Sequence, residues 1–596
     1  MLATLGCETT PRTSYLSPEA LPETWRLHAE RTNYDETGRY DEAVSFCRRL
    51  AAASPYARYL TFGVSGEGRA LPLLVLSTDA AFTPAAAQQS RKPLVLVQNC
   101  IHAGECEGKD ASLALARDII ITGTQADLLA HVNVLIIPIY NVDGHERRSL
   151  YGRINQNGPR EMGWRTNATN LNLNRDYVKA DAVETQAWLR LWNAWQPDLF
   201  IDTHTTDGER HRYDLFYDAT QGPETAEPVA RWVRAQLLPD VLAALTADGY
   251  ATLPYGQLRD RKAPTEGYMA GWSMSPRFST GYPAACNRPA LLVETYSWNP
   301  YARRVRATYD FLRHTLSTLG ARPQTLRAAI RAADAQCVAA HGGGDDGRVA
   351  LAFAHTDQHH PVTYHAYQQV LHESEITGDP VIEYTQTPLD VEIPLFDGIE
   401  PTFAVTPPAA YLIPPQWSDA IQRLEVHGIR FFRLRQAHDL DVESHRFYDV
   451  SFTDRPHEGR QLPHYQSTSI RERRHFVAGT VVVPLDQPRA KLAVNLLEPA
   501  GPDSLVAWGL FNAIFEQKEY AEAYVMEPLA RQMSAEDAAL RREFAERLAW
   551  DEAFARNPQQ RLDFFYRRSP YADARQNVYP VARVGEAGVV QRLKAE

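Results

Sequence analysis

Residues 93–122 read PLVLVQNCIHAGECEGKDASLALARDIIIT. Five residues, 94–98, have the apolar, β-branched character of a buried strand, and the loop Asn99-Cys100-Ile101-His102-Ala103-Gly104-Glu105 follows. Leu113, Ala116, Ile119 and Ile120 then recur at helical spacing. His102 and Glu105 therefore stand where a strand hands over to a helix, at the carboxyl edge of an α/β sheet, where such folds place their sites. A His and a Glu three residues apart can bind one divalent metal from one side, leaving room for a third ligand and a water. Alone, the H-x-x-E pattern is weak, because any chain of this length holds one by chance.

The pattern gains force outward from that stretch. Upstream, residues 40–53 carry Tyr40, Val44, Cys47 and Leu50 on one helical face, and 59–64 and 71–76 read as a hairpin around Ser65-Gly66-Glu67-Gly68. Downstream come a strand over 132–140, a polar, Asn-rich stretch over 155–177 and a helix over 181–195. A buried strand over 199–203 ends at His204, another over 290–293 ends at Glu294, and residues 301–319 close the unit as a helix. This alternation predicts an α/β fold with a mixed twisted sheet flanked by helices over residues 23–330. The segment His341-Gly-Gly-Gly-Asp-Asp-Gly347 is the best linker in the chain. Beyond it, runs at 349–353, 381–384, 391–395, 429–434, 479–483 and 492–497 predict a β-rich domain over 348–500. A helical C-terminal region over 501–596 follows, ending in the aromatic, basic RLDFFYRRSPY.

Bulk properties narrow the function. The 596 residues are too many for one core, and 44% hydrophobic with 23% charged residues is ordinary for a globular protein. A net charge of -11 disfavours nucleic acid as a partner. No apolar run approaches the ~20 residues of a membrane helix. The six cysteines show no C-x-x-C and no paired spacing, so neither a disulfide framework nor a thiolate zinc site is expected. The N-terminal residues MLATLGCETTPR lack a basic leader and a long apolar stretch. The default expectation is a cytoplasmic protein, with a secreted or periplasmic one open if the start is trimmed.

His204, at the end of its own buried strand, is the best third ligand. With His102 and Glu105 it would complete an open zinc site of His₂Glu type; the competing reading is two unrelated loop histidines. Three further features favour the site: Trp164-Arg165, Asn172-Leu173-Asn174-Arg175-Asp176, and Leu291-Leu292-Val293-Glu294-Thr295-Tyr296. Taken in order with H-x-x-E and Asn141-Val142-Asp143-Gly144, they make residues 35–325 resemble the zinc carboxypeptidases of the carboxypeptidase A-like family, of bacterial type with a long C-terminal extension. The resemblance implies one Zn²⁺ held by His102, Glu105 and His204, with Glu294 as general base. Arg165 would hold the oxyanion, and Asn174 and Arg175 the free C-terminal carboxylate of a peptide substrate.

Three departures from the family pattern matter. Asn172 stands where the family commonly has Asp; an amide oxygen can still accept an outer N–H from a ligand His, but it supplies no charge. Tyr268 and Tyr282 are both candidates for the substrate-lining tyrosine, and Tyr282 is nearer in style. Residues 279–288, which should line the side-chain pocket, show no single charge that declares a preference. A histidine group at His355, His359, His360 and His365, with Asp357, reads as polar surface before it reads as a second metal site. Rival readings are a zinc amide hydrolase acting on peptidoglycan stem peptides or acylated amino acids, and a peptide- or carbohydrate-binding protein with a vestigial site.

Overall fold

The computed structural model describes residues 13–206, 208–271, 275–340 and 347–596. Positions 341–346 of the expected linker lie outside the described residues. The first seven strands are β1 (Ala57–Val64), β2 (Ala70–Leu76), β3 (Leu94–Gln98), β4 (Asn133–Ile137), β5 (Leu199–Thr205), β6 (Leu215–Ala219) and β7 (Thr252–Pro254). Two short strands, β8 (Gly256–Leu258) and β9 (Tyr268–Ala270), precede β10 (Ala290–Thr295). The main sheet has eight strands in the order β1-β2-β4-β3-β5-β10-β6-β7. Its centre, β4-β3-β5-β10, is parallel, and both flanks introduce antiparallel pairs. The mixed α/β sandwich read from the sequence is borne out.

Strand periodicity divides the core in two. Val95, Val97, Ile201, Leu291 and Val293 face the helices Tyr40–Ala53, Glu107–Ile120 and Tyr301–Ala321. Leu94, Leu96, Phe200 and Ala290 face the helix Val183–Trp195, whose Trp188 and Trp192 stack at 5.1 Å. The same apolar cluster continues without a break into the C-terminal half, through Tyr411, Val481, Leu492, Trp508 and Tyr579.

That half contains β11 (Val349–His355), β12 (His359–His372), β13 (Val381–Phe396), β14 (Ile399–Val405), β15 (Ala410–Ile413), β16 (Phe432–Arg433), β17 (His438–Phe452), β18 (Pro463–Phe476), β19 (Val481–Pro484) and β20 (Ala582–Val584). A six-stranded sheet runs β16-β19-β15-β20-β17-β18, so a strand from the last fifteen residues sits in its interior. Another sheet, β12-β13-β9-β8, joins strands of both halves, with Leu395 beside Tyr268. Residues 492–497, read as a strand, lie instead in the helix Ala490–Leu497. A short apolar run buried on all sides carries no period, so it fits either element. Among the described residues no helix is long and apolar enough to cross a membrane.

Candidate metal and substrate site

The sheet reverses direction of growth at β3: β4 lies on one side and β5 on the other. Such a switch point opens a crevice beyond the strand ends, and the loop after β3 fills it. Gly108 lets the helix that follows sit against β5, because a Cβ there would meet Thr203 Oγ1 at 1.9 Å. Gly104 is equally confined, with Gly163 O 2.8 Å from where a Cβ would stand. Parallel pairing sets Glu294 on β10 level with His204 on β5. Register alone therefore brings a His and a Glu from residues 90 positions apart to one edge.

His102, Glu105 and His204 converge there, buried, with one ligand atom each inside 4.8 Å of the others. His102 Nδ1 lies 3.1 Å from Glu105 Oε1, and His204 Nδ1 lies 3.0 Å from Glu105 Oε2. The outer nitrogens are tied down. His204 Nε2–H donates to Asp202 Oδ2 at 2.8 Å, and His102 Nε2–H donates to Asn172 Oδ1 at 3.2 Å. Asn172 Oδ1 also accepts the Asn174 N–H at 3.0 Å, which fixes the orientation of the amide. Both imidazoles thus turn Nδ1 inward, in the tautomer a metal ligand needs.

The electrostatics suit a cation. Burial pulls His102 down to about 3, with the Arg165 guanidinium adding to the effect, so its ring is neutral. Burial pushes the Glu105 carboxyl up, but His102 and Arg153 outweigh it and hold the group well below the carboxylate range. At His204 burial also favours the neutral ring; the Asp202 carboxylate overrides it and raises the pKa, so a metal binding at Nδ1 displaces a proton there. Two imidazole nitrogens and one anionic carboxylate, with tethered outer atoms and an open cavity in front, fit zinc.

That cavity is lined by these three residues together with Arg165, Asn174, Arg175 and Glu294. Arg165 Nη1 stands 3.7 Å from Glu105 Oε1. Arg175 lies 4.5 Å over the Phe278 ring and donates to Asn174 O at 2.7 Å. Asn174 Oδ1 accepts the Ser279 N–H at 2.8 Å, tying the cavity wall to the arginine-bearing loop.

Tyr282 is a correction. It is fully buried beside Trp188 and Trp192, and its hydroxyl donates to His427 Nδ1 at 3.0 Å, away from the cavity. Tyr268 is buried too, bonded to Pro254 O at 3.1 Å. Tyr255 is the tyrosine that lines the site. Sequence reasoning also missed Arg153, whose Nη2 lies 2.7 Å from Glu105 Oε1, and Asp218, which lies across from Leu292 in the cavity. Asp202 was legible in principle, since residues two apart on a strand share a face. The histidines of the C-terminal half stay apart: His355 bonds Ala270 O, His359 bonds Asp357 O and His365 bonds Asp390.

Residues 43–274 match the family model of the zinc carboxypeptidases, peptidase family M14. That stretch is similar to a zinc carboxypeptidase domain. All three metal-site residues and both cavity arginines fall inside the match, while Glu294 lies beyond it. Carboxypeptidase 2 of Trichophyton rubrum is 25% identical over 496 residues, covering 79% of this chain and 84% of the relative. Carboxypeptidase 2 of Trichophyton equinum is 25% identical over 524 residues, covering 83% and 87%. A metallo-carboxypeptidase structure from Burkholderia cenocepacia aligns at 19% identity over 47% of this chain and 69% of its own, with a TM-score of 0.36. The family match and the carboxypeptidase-named relatives support a zinc-dependent metallocarboxypeptidase with a single Zn²⁺, of a family that acts on peptides.

Proposed function

We propose that this zinc carboxypeptidase releases the last residue of peptides that end in a free carboxylate. The observation that carries the reading is the meeting of the His102–Glu105–His204 group, the Glu294 carboxylate and two guanidinium groups in one cavity. When bound by His102, Glu105 and His204, zinc supplies Lewis acidity, which makes water a competent nucleophile near neutral pH. Glu294 takes the proton from the attacking water on its carboxylate and passes it to the leaving amine. Arg165 stabilises the oxygen that gains charge as the carbonyl is attacked. Arg175, braced by Phe278 and Asn174, grips the terminal carboxylate, for which a planar guanidinium is the matching partner.

The side-chain pocket gains a charge that residues 279–288 did not offer. Asp218 pairs across from Leu292, two positions along β10 from Glu294, and shares the cavity with Tyr255 and Thr280. An acid at that depth selects a cationic C-terminal side chain.

Matched peptides with free and amidated C-termini test the reading. The amidated peptide is cleaved at least ~100-fold more slowly, because a guanidinium–carboxylate contact is lost from a desolvated site. Equal rates would favour the general amide hydrolase.

A further inference from the structure

We infer that Glu458, from the C-terminal half, is a positioning residue of the active site, holding the segment that carries Asn172 and Arg175. The inference rests on the zinc-site reading above and concerns a residue 286 positions from the group it touches. Between β17 and β18 the chain forms a small projecting turn. His457 N–H donates to Arg460 O at 2.9 Å and Arg460 N–H donates back at 3.0 Å, leaving Glu458 and Gly459 at the tip. Both have positive φ, +48° and +78°, as a two-residue turn of primed type requires. At Gly459 a Cβ would stand 3.1 Å from Leu171, so the tip presses directly on the catalytic domain.

The turn is clamped on both sides. Arg460 grips Asp181 with two bonds of 2.6 Å, and the His457 ring stacks 6.1 Å from Trp508. Trp508 in turn lies 5.3 Å from the Arg277 guanidinium, beside the cavity wall. So held, Glu458 accepts the Asn172 N–H on Oε2 at 2.9 Å. Asn172 is the residue whose side chain orients His102, and Asn174 and Arg175 follow it directly. At Arg175, burial and the Arg165 guanidinium lower the pKa, and the Glu458 carboxylate works against both. Glu458 does not line the cavity, so it acts through Asn172 and not on substrate.

The test is zinc affinity of the full chain, read by chelator competition with the metal alone and paired with kcat and KM. Glu458→Ala should weaken zinc binding about 10-fold, the lower end for losing a partner behind a metal ligand. Glu458→Gln, whose amide oxygen can accept the same N–H, should restore affinity to within about 2-fold. Parental affinity in Glu458→Ala, or a Gln variant as weak as the Ala variant, overturns the inference. Should the Ala variant not fold, Glu458→Asp, one methylene short, carries the same expectation. His204→Ala measured alongside separates the two claims: zinc retained there sinks the metal site itself, whereas zinc lost there with no effect at 458 sinks only the positioning role.

Discussion

The two sides of the active site are built differently. On the sheet side, register sets His204 and Glu294 level on neighbouring parallel strands, and the short loop leaving the adjacent strand β3 brings His102 and Glu105 beside them. On the other side, the C-terminal half shares a core with the sheet and reaches the site region by docked contacts, at Glu458 and at the Arg277–Asp503 pair. Side chains set by register have few ways to move independently, because a one-residue slip would turn every neighbour to the wrong face. A contact made by docking depends on the whole interface that presents it. Removing a sheet-side residue should therefore remove function outright, while changes in the second half should act by degrees.

The sharpest way to break this contrast is His204→Ala. It should abolish stoichiometric zinc and lower kcat/KM by about 10⁴-fold or more, since one of three ligands and its Asp202 tether are lost. Elemental analysis of the purified variant checks the first effect and peptide hydrolysis the second.

A smaller effect belongs to the interface and appears in its pH dependence. His427 is wholly buried, with Nε2–H donating to Val178 O at 2.8 Å and Nδ1 accepting from Tyr282. Burial lowers its pKa to about 4, although the carbonyl bond works in the opposite direction. The contrast with His204 is instructive: both rings are buried, and only the one with a carboxylate partner has its pKa raised, so there a bound metal takes the place of the second proton. Below its ordinary pKa of about 6.5 the unfolded chain binds a proton at this site that the folded chain refuses until about 4. Stability from this group is thus complete above about pH 6.5 and falls, by up to ~3 kcal/mol, as pH drops to about 4. Urea unfolding at pH 7 and pH 5 should show this slope in the parent and a flatter one in His427→Gln.

Next in size is Asp218→Asn. The preference for a C-terminal Lys or Arg over Leu should shrink by about 30-fold in kcat/KM, with zinc content unchanged, as expected when a charged pair in a half-enclosed pocket is lost. A parent enzyme with no such preference would remove the specificity assigned to this pocket.

The smallest effect sharpens the correction at Tyr282. Tyr282→Phe leaves His427 Nδ1 without its donor and should cost about 1–2 kcal/mol of stability. Its kcat/KM should stay within about 2-fold of the parent, which a tyrosine lining the substrate site would not allow.

What could be read from the sequence follows the same division. The helix Tyr40–Ala53, the handover after β3 and the strand-ending His204 and Glu294 were legible because local periodicity and strand ends determine them. Tyr282 was misplaced because a tyrosine in an Ala- and Pro-containing segment gives no sign of which side of a short helix faces the core. The helix Ala490–Leu497 passed for a strand because burial on every side erases its period. Asp218, Arg153 and Glu458 were invisible for a common reason: each acquires its role from a neighbour that only strand pairing or docking supplies.

Glu294→Gln tests the centre of this account most directly, with zinc content and hydrolysis measured on the same sample. The side chain keeps its shape and loses its basicity, so one zinc per chain should remain while kcat falls by about 10³-fold or more. A variant that holds zinc and still cleaves at the parental rate would contradict the assignment of the base, and with it the arrangement of the whole cavity.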